Sequence, residues 1–349
     1  MLDGLTHEQQ MLQESTRRFV DEEMLPHEDL VDREGHVPID LGRQIESRAK
    51  DVGLFAANLP ENVGGGGLDY TSMAVIEREF GRTSHALHAW VARPTELLLA
   101  TEGAQKEQYL APCVTGAKRE LFALSEPEAG SDIMSMKSNA KRDGKDWILT
   151  GSKHFISGPV MPDFAIVFAA TGHDETPRGP RPRITAFLVD VGMPGFDIQV
   201  GYNCVSYRGY LNFKLDFDNV RLSPDHILGE EGRGLELSGK WLGMGRIWVG
   251  ATCCGKAERL FEMATSWAAE RKQFGQAIGK FQATGFKLAD MAVGLRAADL
   301  LVKDAISKAD QGVMTDSDAA MVKLFCSEML NQVADNTVQI YGGMGLMDD

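Results

Sequence analysis

An α+β fold is predicted, with an N-terminal helical domain, a middle antiparallel β domain and a C-terminal helical bundle. Three observations predict it. Apolar residues recur at helical spacing from Thr6 to Phe80; alternation takes over beyond Leu121; helical stripes return after Gly229. Blocks of helix, strand and helix differ from the β-α alternation of a doubly wound parallel sheet, and no GxGxxG fingerprint is present. The expected division is 1–118, 119–229 and 230–349. A chain of 349 residues, 43% of them hydrophobic, can bury the large cores this requires.

The elements follow in order. Thr6 with Gln9 three residues on forms a capping box, and Leu12, Thr16, Phe19 and Val20 continue a first helix that should stop before Pro26. Helical texture resumes at Leu41–Val52 and Thr71–Phe80. Between them Gly64 to Gly67 lack a following Lys-Ser/Thr pair, so they read as an interhelical connection, not a phosphate cradle. In the middle block Asp143-Gly144 is a hairpin signal before Trp147–Leu149, and Phe164–Ala170 and Ile184–Val189 are short apolar runs. Leu211, Phe213, Leu215 and Phe217 alternate with Asn212, Lys214, Asp216 and Asp218, giving one buried and one wet face. HDETPRGPRPR at 173–183 reads as an exposed loop. After Gly229 three apolar stripes are expected: Leu260, Phe261, Ala264 and Ala268; Leu288, Met291, Leu295, Ala298 and Val302; and Met321, Leu324, Phe325, Met329 and Val333.

The formal charge of −14 and pI near 5.1 argue against a nucleic-acid or anionic-membrane partner, because no net positive field recruits phosphates. No apolar run reaches the ~18 to 20 residues that span a bilayer. The acidic N-terminus does not resemble a targeting peptide, which leaves a bacterial cytoplasm as the expected location. Cys113, Cys204, Cys253, Cys254 and Cys326 lack metal-ligand spacing and suit a reducing compartment. Neighbours such as Cys253 and Cys254 point to different helix faces and are read as structural.

Two stretches carry the candidate chemistry. LFALSEPEAGSD, Leu121 to Asp132, combines the hydroxyls of Ser125 and Ser131 with Pro127, which holds Glu126 extended, and Gly130, which permits close backbone approach. Alone it reads equally as a surface turn. GSKHFISG, Gly151 to Gly158, follows a strand and supplies Phe155 and Ser157. Together with ERKQFG and QIYGGMG in the bundle, these stretches occur in the order and spacing of the acyl-CoA dehydrogenase family, which the chain resembles from Leu5 to its last residue.

That resemblance implies a flavin, FAD, between the β domain and the bundle. Phe122, Leu124 and Ser125 would line the ring, with Gly130 in the same loop and Ser131 near the pyrophosphate or the acyl-CoA. Phe155, Ile156 and Ser157 would cover the opposite stretch, the Ser157 hydroxyl donating to N5 as negative charge builds on reduction. Arg271 and Phe274, one helical turn apart in AERKQFG, match contacts to the FAD pyrophosphate of a neighbouring subunit, a task suited to a bidentate guanidinium. Gln282 matches another FAD contact, and Gln339, Ile340, Tyr341, Gly342 and Gly343 match the QIxGG turn beside the adenosine half. A homo-oligomer, dimer or tetramer, is implied. Gly243, Met244, Gly245 and Arg246 fall where the family meets substrate, although Arg246 also reads as a structural ion-pair residue.

The reaction implied is α,β-dehydrogenation of an acyl-CoA thioester: a carboxylate takes the α proton, the β hydrogen leaves as hydride, and electrons pass to an electron-transfer flavoprotein. No residue matches the catalytic base. Many members carry it in a Glu-Gly-Thr loop beyond the QIxGG turn, and the sequence runs to Asp349; others carry a glutamate just before the arginine of the first bundle helix, where Gly245 stands. Glu230, Glu231 and Glu236 read as loop and helix-start charges. The alternatives are an enoyl-CoA reductase running in reverse, an oxidase or flavin monooxygenase, and a flavin- or CoA-binding scaffold without catalysis.

Overall fold

The computed structural model describes residues 4–91, 93–177 and 179–347. Its helices are α1 (His7–Glu23), α2 (Glu28–Glu34), α3 (Ile39–Asp51), α4 (Tyr70–Phe80), α5 (His85–His88), α6 (Ala111–Val114), α7 (Gly234–Glu270), α8 (Gln282–Asp310) and α9 (Asp316–Tyr341). Its strands are β1 (Glu120–Ala123), β2 (Asn139–Asp143), β3 (Asp146–Gly158), β4 (Phe164–Thr176), β5 (Gly179–Asp190), β6 (Phe196–Val200), β7 (Leu211–Leu222), β8 (Ile227–Leu228), β9 (Lys272–Gln273) and β10 (Gln276–Ala277). Two compact units result. One gathers Met1–Pro26, Leu68–Ser84 and Leu242–Asp349; the other comprises His27–Gly67 and His85–Trp241. Packing thus groups helical segments from distant parts of the sequence.

The second unit is built on one sheet in the order β6-β7-β3-β2-β4-β5-β8. The Asp143-Gly144 signal makes the expected β2–β3 hairpin, with Asp143 opposite Asp146 and Gly144 at φ 62°. Phe213, Leu215 and Phe217 point into the core with Leu121, Trp147, Leu149 and Phe187, while Asp216 and Asp218 face out. Each fully buried aromatic or leucine contributes about 1.5–3 kcal/mol, so this alternation sets the sheet's register. The sheet is largely antiparallel, but β1 joins β4 in parallel, with Glu120 opposite Phe164. That pairing delivers the chain into the SEPEAGSD loop. The 173–183 stretch is not a loop: β4 and β5 continue as an exposed hairpin, pairing His173 with Pro182 and Glu175 with Pro180. The prolines are tolerated because β8 flanks β5 only at Ala186 and Phe187, so among the described residues no third strand pairs with the arm.

In the first unit the capping box at α1 forms as expected, Gln9 N donating to Thr6 Oγ1 and Thr6 N to Gln9 Oε1. Two glycines let backbones cross closely. A Cβ on Gly255 would lie 1.7 Å from Arg78 O, and one on Gly81 would lie 2.2 Å from Thr252 O. A charge network ties the crossing. Arg78, fully buried on α4, donates to Glu258 on α7 and Asp299 on α8 at 3.0 Å, and Arg17 and Arg82 reach the same Glu258. On α8 the expected Met291, Leu295, Ala298 and Val302 are buried. On α9 the expected stripe is displaced: Val322, Cys326, Met329, Val333 and Ile340 are buried, whereas Met321, Leu324 and Phe325 are exposed. With apolar residues on both faces of α9, periodicity alone could not choose the inward one.

Candidate functional site

The two candidate stretches of the second unit meet. His154 N donates to Ser125 O at 3.0 Å, and Lys153 Nζ donates to Leu124 O at 3.0 Å and to Glu126 Oε1 at 2.7 Å. The loop also closes on itself, Glu126 N and Ala129 N each bonding the other residue's carbonyl. Phe122 lies half-buried between Phe168 at 5.1 Å and Trp241 at 4.5 Å. Leu124 is buried, leaving its backbone as its polar surface, while Gly130 and Ser131 are exposed.

A bulge in β3 aims the second stretch. Lys153 pairs with Leu215 and Ile156 with Phe213, so β3 carries an extra residue, and Phe155 adopts φ 55°. Such a backbone is costly for an aromatic residue. The result is a Phe155 that is 58% exposed, its ring tilted against His154 at 3.9 Å and 5.2 Å from Tyr202. Ile156 is buried; Ser157 is exposed, and its Oγ accepts a hydrogen bond from Asn212 Nδ2 at 3.2 Å. Burial, aided by the charge of Lys214, pulls the His154 imidazole below its ordinary value against the opposing pull of a backbone hydrogen bond.

In the first unit Arg271 and Phe274 are not a helical turn apart. Helix α7 ends at Glu270, and the two residues belong to the tight β9–β10 hairpin, where Gln273 pairs with Gln276. Phe274 and Gly275 have φ of 51° and 79°, the left-handed pair of a two-residue turn, and Phe274 is 93% exposed. The motif therefore presents these side chains on a projecting arm. Arg271 lies 6.0 Å from the ring of Trp267, which stacks on Tyr341 at 4.8 Å. Trp267 thus links the ERKQFG and QIYGG motifs, a role its sequence position did not disclose. Gln282 starts α8 and is exposed; Gln339 is exposed and Ile340 buried at the end of α9, where Gly342 and Gly343 begin a 3₁₀ turn. Near the α7 start Met244 is buried and Arg246 exposed.

Several predicted site glycines answer no crowding within the chain. A Cβ on Gly130, Gly243, Gly245, Gly342 or Gly343 would meet nothing within 4 Å among the described residues. Asn212 Oδ1 and His154 Nδ1 are buried and find no hydrogen-bond partner among the described residues. Within the second unit, the open backbone of Gly130, the orphaned polar atoms and an outward Phe155 and Ser157 fit a flat ring with a polar edge.

Comparison with known proteins decides the family. Residues 6–117, 121–220 and 232–349 match the N-terminal, middle and C-terminal domains of acyl-CoA dehydrogenase. The chain belongs to the acyl-CoA dehydrogenase family. Its members are FAD-dependent flavoproteins, and the fold and the oxidoreductase chemistry on a CH–CH bond expected from the sequence hold. The chain is 34% identical to 3-(aryl)acrylate reductase of Clostridium sporogenes, covering 99% of itself and 90% of that protein. It is 32% identical to subunit CarC of the caffeyl-CoA reductase-Etf complex of Acetobacterium woodii, over the same shares. Butyryl-CoA dehydrogenase of Megasphaera elsdenii superposes with TM-score 0.88 at 31% identity, over 100% of this chain and 91% of that one. Among the described residues of this acyl-CoA dehydrogenase family member, no helix is long and apolar enough to cross a membrane. All five cysteines are free, and burial pushes the Cys253 thiol up to about 11.

Proposed function

We propose that this protein is an FAD-dependent acyl-CoA dehydrogenase that oxidises the Cα–Cβ bond of an acyl-CoA thioester and passes electrons to an electron-transfer flavoprotein. The observation that carries the proposal is the 3.0 Å bond from His154 N to Ser125 O, which puts the two family motifs of the β unit side by side. Bound FAD supplies the acceptor for the hydride from Cβ. Phe122, Leu124, Ser125 and Gly130 hold the ring from one loop, and Phe155, Ile156 and Ser157 from the other. Asn212 Nδ2 occupies a lone pair of Ser157 Oγ, so the hydroxyl proton points elsewhere and is available to a reducing ring. Arg271, Phe274 and Gln282 hold the pyrophosphate end of a neighbouring copy's cofactor, and Gln339, Ile340, Tyr341, Gly342 and Gly343 its adenosine half. Ser131, Gly243, Met244, Gly245 and Arg246 meet the acyl-CoA. Gly245 itself supplies no carboxylate.

A homotetramer is the assembly proposed, on two grounds: the projecting Phe274, and the exposed Val293, Leu300, Met321 and Leu324 of α8 and α9. The net charge and free cysteines support a cytoplasmic location, and fatty-acid oxidation is the proposed role. Purified protein should be yellow, and butyryl-CoA should bleach the flavin band anaerobically; colourless protein that takes up no FAD would refute the assignment. The identity to two reductases favours a second reading, reduction of an enoyl-CoA. Flavin reduced with dithionite, then mixed with crotonyl-CoA or cinnamoyl-CoA, would regain its colour fastest with the physiological acceptor.

A further inference from the structure

Two charged residues in the motif stretches are not among the residues proposed to touch cofactor or substrate. Glu126 of SEPEAGSD and Lys153 of GSKHFISG are each almost fully buried, with side chains 3% and 0% exposed. Lysine is seldom buried without a task, because removing an ammonium from water costs several kcal/mol unless charge and hydrogen bonds replace the solvent. Here both are replaced. Lys153 Nζ spends one proton on Leu124 O and one on Glu126 Oε1. Glu126 Oε2 in turn accepts Lys137 N at 2.6 Å, and Ser138 N donates to Oε1 at 3.1 Å. The ammonium therefore sits behind Leu124, one residue before Ser125. Its own backbone lies two residues before Phe155 and four before Ser157.

We propose that the Lys153–Glu126 pair is the positioning device of the cofactor site: it locks the 124–131 loop to the bulged segment 154–157 so that Ser125, Phe155 and Ser157 present one preformed surface to the flavin. The proposal rests on the FAD-site reading above. Its logic is preorganisation. The SEPEAGSD loop has few internal ties, chiefly the reciprocal pair between Glu126 and Ala129, and a loop that must be ordered by its ligand binds that ligand more weakly. One ammonium bonded to both the loop backbone and the loop carboxylate removes that freedom before FAD arrives. The carboxylate extends the tie to the start of β2 through the N–H groups of Lys137 and Ser138. Neither residue is placed to touch the ring, so both act through the residues they hold.

The test uses the full-length holoenzyme and its apo-form, comparing Lys153→Met, Glu126→Gln, the pair combined, and Lys153→Arg. Apo-protein titrated with FAD should show affinity at least tenfold weaker for Lys153→Met and for Glu126→Gln. The visible flavin bands of the loaded variants should shift and their resolved shoulder blur, as the ring loses a fixed surround. The midpoint potential of the bound flavin should move with them. Lys153→Arg should restore a good part of the affinity and the shoulder. The combined variant should be no worse than either single one, because the two residues form one device. Circular dichroism confirms folding; should Lys153→Met fail to fold, Glu126→Gln, which keeps an acceptor for the Lys137 and Ser138 N–H groups, carries the test. Wild-type FAD affinity, spectrum and potential in folded Lys153→Met or Glu126→Gln would overturn the proposal while leaving the flavin reading intact. Failure of the wild-type chain to bind FAD would instead remove the reading on which it rests.

Discussion

At the scale of single residues, the site depends on groups that set each other's protonation and direction. Burial draws the Lys153 ammonium down to about 8, and the attraction and hydrogen bond of Glu126 only partly oppose it. Burial would raise Glu126, but the charge and hydrogen bond of Lys153 and the N–H groups of Ser138 and Lys137 bring it below the ordinary carboxylate value. As pH rises through about 8 the ammonium is lost first, leaving the carboxylate without its counter-charge. FAD affinity should fall through that window, and the limb should be absent from Lys153→Met; titration of apo-protein with FAD from pH 6.5 to 9.5 checks it. Stability moves the opposite way. A lysine with a folded value near 8 and an ordinary value of 10.5 binds fewer protons folded than unfolded between them, so its contribution rises with pH there. A parallel loss of global stability would therefore count against the assignment. His154, held below its ordinary value, titrates on the acid side. For Ser157, whose Oγ accepts from Asn212, substitution by alanine should slow flavin reduction by about 10- to 100-fold, the loss of one charge-assisted hydrogen bond, as read by stopped-flow absorbance.

Between elements, the helical unit is held by a crossing that depends on what is small and what is charged. Replacing Arg78 with Met removes the buried guanidinium that Glu258 and Asp299 share, a change that costs about 3–5 kcal/mol and should lower the urea midpoint accordingly. Burial alone would raise the Glu258 carboxyl, yet the hydrogen bonds and charge of Arg78 and the charge of Arg17 hold it at about 2. With the folded value below the ordinary 4.5, its stabilisation is present above that pH and is lost as pH falls towards 2; the Arg78→Met variant should show a smaller acid limb, since Arg17 and Arg82 still face Glu258. Much of this level was legible in the sequence. Thr6 with Gln9, Asp143-Gly144 and the alternation from Leu211 to Phe217 are local signals, and local signals fix local structure. What escaped was set by distance or by ambiguity. Gly255 looked like any helical glycine until Arg78 O arrived against it, and Lys153 could not announce a partner 27 residues away. The 173–183 stretch has loop composition yet forms an arm, and AERKQFG continues a helical pattern that Phe274-Gly275 breaks with a left-handed turn. Ser125 and Ser157 could be singled out as candidates because family motifs carry them; Trp267 and Asn212 lie outside those motifs, and their contacts needed the fold.

For the molecule as a whole, the decisive quantity is apolar surface that this chain does not cover by itself. Phe274 at 93% exposure, Val293 at 70%, Leu324 at 63% and Phe286 at 64% all belong to the helical unit. Isolated exposed apolar residues are ordinary, but Phe274 also has the strained backbone of a side chain held outward by its turn. The proposed assembly, with this surface buried between copies, would account for both. With a formal charge of −14 on each copy, long-range repulsion opposes association, so the attraction must be short-range and apolar, and raising salt should strengthen the assembly by screening. In a two-fold interface every contact occurs twice, so burying Phe274 at about 1.5–3 kcal/mol per copy contributes about 3–6 kcal/mol to each pair of subunits. Phe274→Asp removes that term and adds two more negative charges to each interface. Its dimerisation should weaken by at least about 100-fold, which light scattering coupled to size exclusion would register as a shift from a multiple of 38.2 kDa towards the single-chain mass at micromolar protein. Because Arg271 shares the hairpin and is proposed to meet a neighbouring copy's FAD, the same variant should lose flavin on dilution while Arg271→Gln loses flavin without changing mass. An unchanged mass for Phe274→Asp would place the projecting arm outside any interface and would leave the cross-subunit FAD contacts without support.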